Sequence, residues 1–246
     1  MKVLVVIPAR YGSTRFPGKA LADLEGRPLV VRVMEQASRM ETADQVVAAT
    51  DDPRIFDAVT AAGFACEMTA DHPTGTDRIG EVAARLPGDI LLNLQGDEPL
   101  LDPAVADALV RLLQADPTVD IGTCAHPFAD TESWRNPNQV KVLVDRMGFA
   151  LYFSRAAVPG AFPGGPEPGP GASRRHVGIY AYRRAALERF LALERTPLEQ
   201  AEGLEQLRAL ENGLRIKVLE IDQAPVGVDT PADLETVRRI FRSRHK

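Results

Sequence analysis

The sequence has few of the features that mark several large classes of protein. Its 246 residues include two cysteines, Cys66 and Cys124, whose spacing fits neither a disulfide framework nor a cysteine-rich metal site. No apolar run approaches the length of a membrane span, so no membrane insertion is expected. The first hydrophobic run is not followed by G-x-G-x-x-G, which argues against a dinucleotide dehydrogenase. The net charge of −5 argues against nucleic acid as a partner, since phosphate backbones attract a basic face.

What remains is the composition of an ordinary globular protein. Hydrophobic residues make up 45% of the chain and charged residues 26%, which is typical of a soluble domain with a sizeable core. Strand-like and helix-like patterns alternate through the first half with short connections, a rhythm that predicts a doubly wound, mostly parallel, Rossmann-like α/β sheet. The low cysteine content and the absence of an apolar leader favour a cytoplasmic location.

The rhythm changes after residue 120, where strand-like segments follow one another with less helix between them. We therefore expect a single domain over residues 1–246. Its main core would comprise about 1–125 and 215–246, with a smaller inserted α+β region over about 126–214. Within that insertion, residues 158–172 contain five prolines and five glycines, which predicts a surface loop. A helix is expected over 198–212.

The most informative motif follows the first strand. An apolar run over 3–7 leads directly into the sequence PARYGSTRFPGK at residues 8–19. Ligands of open α/β sheets bind outside the carboxyl ends of the strands, where such a loop would lie. Small residues allow phosphate oxygens to approach the backbone, while Arg10, Arg15 and Lys19 would neutralise their charge. The motif predicts a polyphosphate site.

Two acidic residues are candidate ligands for a hard cation. Asp97 follows a continuous apolar strand in the turn QGDEP, and Asp229 precedes the sequence Thr230-Pro231. Both have simpler explanations, because Gly, Asp and Pro are common in strand-ending turns. Thr230 with Pro231 is an ordinary helix start. Helix capping does not require Asp229, so a second metal carboxylate facing Asp97 stays open.

Two further groups of residues suggest recognition of a base and of an acidic molecule. The sequence DHPTGTDR at residues 71–78 places hydroxyls, a glycine and Arg78 at a helix start, where they could read the edge of a base. Arg155 and His176 could bind an acidic substrate, with Glu205 and Gln206 taking sugar hydroxyls. The helical periodicity of 198–212 also accounts for Glu205 and Arg208 as exposed helix positions.

Taken together and in this order, these segments resemble the 3-deoxy-manno-octulosonate cytidylyltransferases. The resemblance is carried by PARYGSTRFPGK, ATDD, DHPTGTDR, NLQGDEP, NPNQVKVLVD, GFALYFSR, RRHVGIYAYR, LEQLR and GVDTPADLE, from residue 8 to about 235. The opening loop is shared by sugar nucleotidyltransferases generally, whereas TGTDR, YFSR, HVGIY and LEQLR narrow the match. Family members commonly have serine at the position of Thr74, and the hydroxyl is retained here.

The resemblance implies a Mg²⁺-dependent transfer of CMP from CTP to 3-deoxy-D-manno-octulosonate (Kdo), with release of diphosphate, for lipopolysaccharide synthesis. It implies a homodimer, a nucleotide-binding core, and a sugar-binding and dimerisation subdomain over about 126–214. The nucleotide-binding residues would be Pro8, Ala9, Arg10, Ser13, Arg15, Lys19, Thr74, Gly75, Thr76, Arg78 and Gln95. The sugar-binding residues would be Gln95, Arg155, His176, Tyr180, Glu205 and Gln206. The metal ligands would be Asp97 and Asp229, and these two act in catalysis with Arg10, Arg15 and Lys19.

Three alternatives stay open at this point. A related cytidylyltransferase could activate sialic acid or an 8-amino form of Kdo, since both are acidic sugars. A glycosyltransferase with the same sheet would usually show an Asp-x-Asp motif, where this chain has Gln95-Gly96-Asp97. A nucleotide-binding protein without catalytic activity would bind CTP and release no diphosphate.

Overall fold

The computed structural model describes residues 1–13, 15–165, 168–222 and 225–244. The chain divides into two compact units, one comprising Met1–Val110 with Pro225–Lys246 and the other Arg111–Ala224. The division differs from the boundaries expected near residues 125 and 215, because the strands after residues 120 and 215 belong to the second unit. In the described residues, no helix combines the length and the apolar character that crossing a bilayer requires.

The first unit contains a parallel sheet with helices between its strands. The strands of that sheet are β1 (Val3–Pro8), β4 (Gln45–Thr50), β5 (Ala65–Met68) and β6 (Ile90–Asn93). The short strands β2 (Asp23–Leu24) and β3 (Arg27–Pro28) pair with each other, antiparallel, as a separate sheet. The helices of this unit are α1 (Leu29–Ala37), α2 (Pro53–Ala61), α3 (Gly75–Arg85) and α9 (Pro231–Arg244), and α4 (Pro103–Ala115) contains the division between the units.

In this sheet, β1 pairs in parallel with β4 and β6, and β4 pairs in parallel with β5. Nearly all residues of β1 and β6 are buried, as expected for strands covered on both faces. All four strands therefore end at the same edge of the sheet, which places the segments after β1 and β6 side by side. A cluster of buried apolar side chains packs α9 against the segment that follows the β1 loop. It includes Leu24, Leu100, Val228 and Phe241.

The second unit contains a mixed sheet. Its strands are β7 (Ile121–His126), β8 (Lys141–Val144), β9 (Ala150–Ser154), β10 (Arg174–Arg183) and β11 (Ile216–Glu220). Its helices are α5 (Thr131–Arg135), α6 (Arg184–Leu191), α7 (Pro197–Glu202) and α8 (Gln206–Glu211). β7 pairs in parallel with β11 and antiparallel with β10, whereas β8 pairs antiparallel with both β10 and β9. The predicted mostly parallel α/β class, with a region of α+β character, is confirmed.

The helix expected over 198–212 is wrong in one respect, because the structure has two short helices there. Gly203 ends α7 in the left-handed conformation, with φ +61°. The chain turns at that residue, and Arg208 on α8 is buried rather than exposed. Its Nε lies 3.1 Å from Glu199 Oε2 and its guanidinium lies over the Phe190 ring. The simple surface-helix interpretation of this segment does not hold for Arg208.

The segment 158–172 has no strand in its described part and one short 3₁₀ turn, Pro170–Ala172. Its described residues are mostly exposed, in agreement with the predicted surface loop. Residues 166 and 167 lie outside the described residues, as does Thr14 of the β1 loop.

Candidate active site

The loop after β1 closes on itself through the carbonyl of Tyr11. That oxygen accepts hydrogen bonds from the backbone N–H groups of Ser13 and Gly18, each at 2.9 Å. Gly18 has φ +72°, and a Cβ there would lie 3.1 Å from the Tyr11 ring, so a glycine is needed. The Arg54 guanidinium lies over the same Tyr11 ring, 3.4 Å from its centroid. The base of the loop is thereby held, and Lys19 follows it directly.

The ammonium of Lys19 lies between two carboxylates. Its Nζ is 2.6 Å from Asp97 Oδ2 and 3.2 Å from Asp229 Oδ1. Arg15 Nη2 lies 3.1 Å from the other oxygen of Asp229. The two acidic residues that the sequence proposes as metal ligands thus come together around one positive charge.

Two close backbone contacts hold the acidic turns in place. A Cβ on Gly96 would lie 2.8 Å from the carbonyl oxygen of Pro8, so this glycine allows the turn after β6 to approach the end of β1. The N–H of Val228 donates to the carbonyl of Asp97 at 2.9 Å, which ties the segment carrying Asp229 to the turn. Asp233 Oδ2 accepts from Thr230 N at 2.8 Å, in agreement with the predicted helix start.

Glu98 is next to Asp97 and has a different electrostatic environment. Its Oε2 is buried with no hydrogen-bond partner among the described residues. Burial, with a smaller contribution from the Asp97 charge, raises the pKa of Glu98 to about 8. The neutral form of Glu98 is therefore favoured at neutral pH, which the sequence alone does not reveal.

The start of α3 lines a cavity at the carboxyl edge of the sheet, together with the loop after β1 and the turn after β6. Thr74 is the N-cap residue, and its Oγ1 accepts from Asp77 N at 3.1 Å and donates to Asp77 Oδ2 at 2.8 Å. Thr74 and Gly75 line the cavity. Thr76, also expected to contact a nucleotide, is 4% exposed and is not among the lining residues.

Arg78 lines the cavity although it is only 3% exposed. Its Nη2 forms an ion pair of 3.0 Å with Asp51 Oδ1, and Nη1 donates to Thr69 Oγ1. Asp51 comes from the ATDD segment after β4, for which the sequence predicts no individual role. The signal that could have identified it is its position at the same sheet edge as the other site residues.

His72 also lines this cavity, and its Nε2 lies 2.6 Å from Glu81 Oε2 on α3.

The cavity at this sheet edge has a volume of about 300 Å³. All of the predicted nucleotide and metal residues except Thr76 line it. They are Pro8, Ala9, Arg10, Ser13, Arg15, Lys19, Thr74, Gly75, Arg78, Gln95, Asp97 and Asp229. The cavity therefore combines several fixed cations with two carboxylates.

The donor chemistry at Asp97 and Asp229 fits a magnesium ion. Their oxygens already surround one positive group, the Lys19 ammonium, and carboxylate oxygens are the protein ligands that Mg²⁺ prefers. Within the described ranges, no group of three or more His, Cys, Asp or Glu side chains is placed to hold a metal. Two carboxylates match an ion that takes its remaining ligands from phosphate oxygens and water.

The second unit brings together several of the predicted sugar-binding residues. The rings of His176 and Tyr180 on β10 are 5.5 Å apart, and Phe153 meets His176 edge-on at 5.1 Å. Glu205 lies close enough to Tyr180 to contribute to its raised pKa, although burial is the larger cause. Gln206 is the first residue of α8 and is buried.

His176 is a neutral group in this environment. Burial lowers its pKa to about 3, and its Nε2 lies 3.0 Å from Thr123 Oγ1. At neutral pH the ring can therefore take part in hydrogen bonds without carrying a positive charge.

Arg155 is the predicted sugar-binding arginine, and main-chain carbonyls hold its side chain. Nε donates to Glu202 O at 2.7 Å, Nη1 to Pro137 O at 3.3 Å and Nη2 to Gly203 O at 3.4 Å. In the part of the chain that the structure describes, no hydrogen bond or ring contact joins Arg155 to His176. Glu202, which also accepts from Arg155 N at 2.8 Å, is a neighbour for which the sequence predicted no role.

Comparison with known proteins assigns the family. The cytidylyltransferase family model matches residues 4–216. A 3-deoxy-manno-octulosonate cytidylyltransferase of Syntrophotalea carbinolica is 47% identical over 98% of this chain and 99% of its own. One of Geotalea uraniireducens is 49% identical over 96% of this chain and 98% of its own.

Solved structures agree with this assignment. A CMP:2-keto-3-deoxy-manno-octonic acid synthetase complexed with CTP matches with a TM-score of 0.92 and 41% identity, over 99% of this chain and 100% of its own. A 4-diphosphocytidyl-2C-methyl-D-erythritol synthase of Anaerococcus prevotii, at 14% identity and a TM-score of 0.65 over 98% of this chain and 96% of its own, shares the fold alone. From the motifs, the cavity and these similarities, the chain belongs to the 3-deoxy-manno-octulosonate cytidylyltransferase family.

Proposed function

We propose that this protein transfers CMP from CTP to the anomeric hydroxyl of Kdo and releases diphosphate. The observation that carries the proposal is the meeting of Asp97 and Asp229 around Lys19, in a cavity lined by the cationic loop after β1. Such a site holds a polyphosphate and a hard cation at once. The names of the full-length relatives supply the identity of the sugar.

In the reaction, the anomeric oxygen attacks the α-phosphorus of CTP. The bond from that phosphorus to the bridging oxygen breaks, diphosphate leaves with the bond electrons, and the hydroxyl proton is lost to solvent or to a phosphate oxygen. Little covalent chemistry falls to the protein, so its residues act by positioning and by charge compensation. Arg10, Arg15 and Lys19 would bind the triphosphate and stabilise the charge that develops on the leaving diphosphate.

Asp97 and Asp229 would hold Mg²⁺, which when bound supplies charge neutralisation at the phosphate oxygens. For that, the Lys19 ammonium has to leave its position between the carboxylates and turn to the phosphates. Lys19 would thereby serve both states of the site: it compensates two carboxylates without substrate and a polyphosphate with it.

The base and the sugar would be recognised by separate groups of residues. Thr74, Gly75 and Arg78 would contact cytosine, with Gln95 near the junction of nucleotide and sugar. Thr76 would support these residues indirectly, as part of the buried first turn of α3. Arg155 would supply positive charge for the sugar carboxylate, while neutral His176, Tyr180, Glu205 and Gln206 would form hydrogen bonds to its hydroxyls.

The test is an assay of diphosphate release with CTP and Mg²⁺, in separate arms with Kdo, 8-amino-Kdo and sialic acid. We expect release with Kdo at a higher kcat/KM than with the other two sugars. A preference for another sugar would transfer the assignment to that cytidylyltransferase. Tight CTP binding with no release in any arm would indicate a nucleotide-binding protein and contradict the proposal.

The proposal includes a homodimer. It is supported by exposed apolar side chains on the β8–β9 hairpin, where Met147 is 69% exposed and Leu151 62% exposed. Light scattering should give twice the chain mass, and Leu151→Glu should lower it toward one chain. Phe162→Ser, which removes an equally exposed apolar group outside the hairpin, is the matched control and should leave the mass unchanged.

A cytoplasmic location and a role in lipopolysaccharide synthesis complete the proposal. Both cysteines are free thiols, which is typical of proteins in a reducing compartment. The product, a sugar activated by CMP, is chemically suited to a later glycosyl transfer.

A further inference from the structure

Lys141 on β8 is a fully buried lysine, with 0% exposure. Lysine is seldom buried without a specific partner, because its ammonium loses its hydration. Burial lowers the pKa of Lys141, and the negative charge of Glu202 opposes that shift. A buried charge of this kind needs good acceptors, and the structure provides two.

Both acceptors are main-chain carbonyls from separate segments. Lys141 Nζ donates to Arg155 O at 2.7 Å and to Asn136 O at 2.9 Å. Asn136 follows α5, and its neighbour Pro137 accepts a hydrogen bond from the Arg155 guanidinium. Lys141 therefore holds the main chain of Arg155 and one of the segments that direct its side chain.

Glu202 holds the opposite side of the same residue. Its Oε2 accepts from Arg155 N at 2.8 Å and its Oε1 accepts from Ser154 Oγ at 2.7 Å. The two peptide groups of Arg155 are thus each bound by a charged side chain, one cationic and one anionic. This arrangement fixes the direction in which the Cα–Cβ bond of Arg155 leaves the backbone.

The position of Lys141 in the sheet connects it to the other predicted sugar residues. β8 lies between β9 and β10, and Lys141 is paired with Ser154 on one side and Arg175 on the other. The preceding residue, Val140, accepts a hydrogen bond from His176 N at 2.9 Å. Lys141 thus occupies the strand that separates Arg155 from His176.

From these contacts we propose that Lys141 is a positioning residue for the sugar substrate, acting through the orientation of Arg155. The inference rests on the proposed function and goes beyond it, because it predicts an effect on one substrate alone. A buried lysine that served only folding would lower the fraction of folded enzyme, and hence the apparent kcat, while both KM values stayed unchanged. A positioning residue would change the KM for Kdo and leave CTP binding intact.

The experiment is a double-mutant cycle on the full chain, with Lys141→Met and Arg155→Ala made singly and together. For Lys141→Met we expect the KM for Kdo to rise about tenfold, since small displacements of a positioned group have large effects. The Kd for CTP, measured by calorimetry, should stay within about twofold. In the Arg155→Ala background, Lys141→Met should raise the KM for Kdo by less than about twofold further, because the guanidinium it positions is gone.

The matched control is Lys2→Met, which removes an exposed lysine and should leave both KM values unchanged. An unchanged KM for Kdo with a lower apparent kcat, equal rises in both KM values, or an undiminished effect in the Arg155→Ala background would overturn the inference. If Lys141→Met does not fold, the cycle is repeated with Lys141→Gln and with Glu202→Gln, which weakens the hold on the amide side. If neither Lys141→Gln nor Glu202→Gln raises the KM for Kdo selectively, the inference is likewise overturned.

The wild-type assay separates this inference from the function on which it rests. Absence of Kdo-dependent diphosphate release in the wild type contradicts the proposed function. An active wild type with the wrong pattern in the variants contradicts the positioning role of Lys141 alone.

Discussion

Lys19 Nζ lies 2.6 Å from Asp97 Oδ2, although 78 residues separate the two in the chain. The contact brings the loop after β1 and the turn after β6 into a single charged group. Both segments leave adjacent parallel strands at the same sheet edge, so the topology creates the contact. Two predictions concern the turn that carries Asp97.

The first is that Asp97→Asn lowers kcat by about 100-fold or more with the fold preserved. The amide keeps the size of the side chain but loses the negative charge proposed to bind Mg²⁺. Steady-state diphosphate release at several Mg²⁺ concentrations, with circular dichroism as a check of folding, measures the effect. Asp57→Asn, an exposed position on α2, is the control and should retain activity. Near-wild-type turnover of Asp97→Asn would contradict the metal assignment.

The second concerns Gly96, where a methyl group would lie 2.8 Å from the Pro8 carbonyl oxygen. Because that neighbour is backbone, Gly96→Ala has to displace the turn or the end of β1. We expect a lower Tm and a loss of CTP binding, measured by thermal unfolding and calorimetry. Gly160→Ala, where nothing lies within 4 Å of the added carbon, should change neither quantity. CTP affinity unaltered in Gly96→Ala would show that the turn does not depend on this close approach.

The third concerns Asp51, which pairs with the buried guanidinium of Arg78. Asp51→Asn removes the counter-charge, so Arg78 loses an anchor that fixes its direction in the cavity. We expect the KM for CTP to rise about tenfold and the preference for CTP over UTP to fall, with the KM for Kdo within about twofold. Competition assays with UTP provide the measurement. Unchanged nucleotide preference would mean that Arg78 does not depend on Asp51 for base recognition.

Local patterns in the sequence were sufficient for the strands and for the loop chemistry. The apolar run before Pro8 and the glycines and cations after it are contiguous, so they reveal a strand and a phosphate-type loop without tertiary information. The convergence of Asp97 and Asp229 followed from the family resemblance and the expected topology. The pattern of the helix start alone does not decide whether Asp229 is a metal ligand.

Contacts between distant segments were not predictable in the same way. Periodicity over 198–212 gives no sign that Gly203 adopts φ +61° and turns the chain, which buries Arg208 against Glu199. Lys141 reads as an ordinary strand residue, and only the approach of the segments around Asn136 and Arg155 makes it a buried hydrogen-bond donor. The raised pKa of Glu98 likewise depends on tertiary burial.

The fourth prediction follows from the neutral state of His176, whose pKa falls to about 3 on burial. Above about pH 6.5 the ring is neutral in both folded and unfolded chains, so it contributes no pH dependence. Between about pH 6.5 and 3 the unfolded chain binds a proton that the folded chain does not. Stability therefore decreases as the pH falls through this window, by at most about 1.4 kcal/mol per pH unit.

His176→Gln removes that group while keeping a side chain that can hydrogen-bond to Thr123. Urea unfolding from about pH 8 to 4.5 should show a smaller loss of stability for the variant than for the wild type. Near pH 8 the difference in unfolding free energy between the two proteins should not change with pH. The histidine ring binds no proton there in either the folded or the unfolded chain. Parallel pH profiles throughout would mean that His176 binds its proton over the same pH range in the folded and unfolded chains. In that case a positively charged ring would join Arg155 as a partner for the acidic sugar only below about pH 6.5.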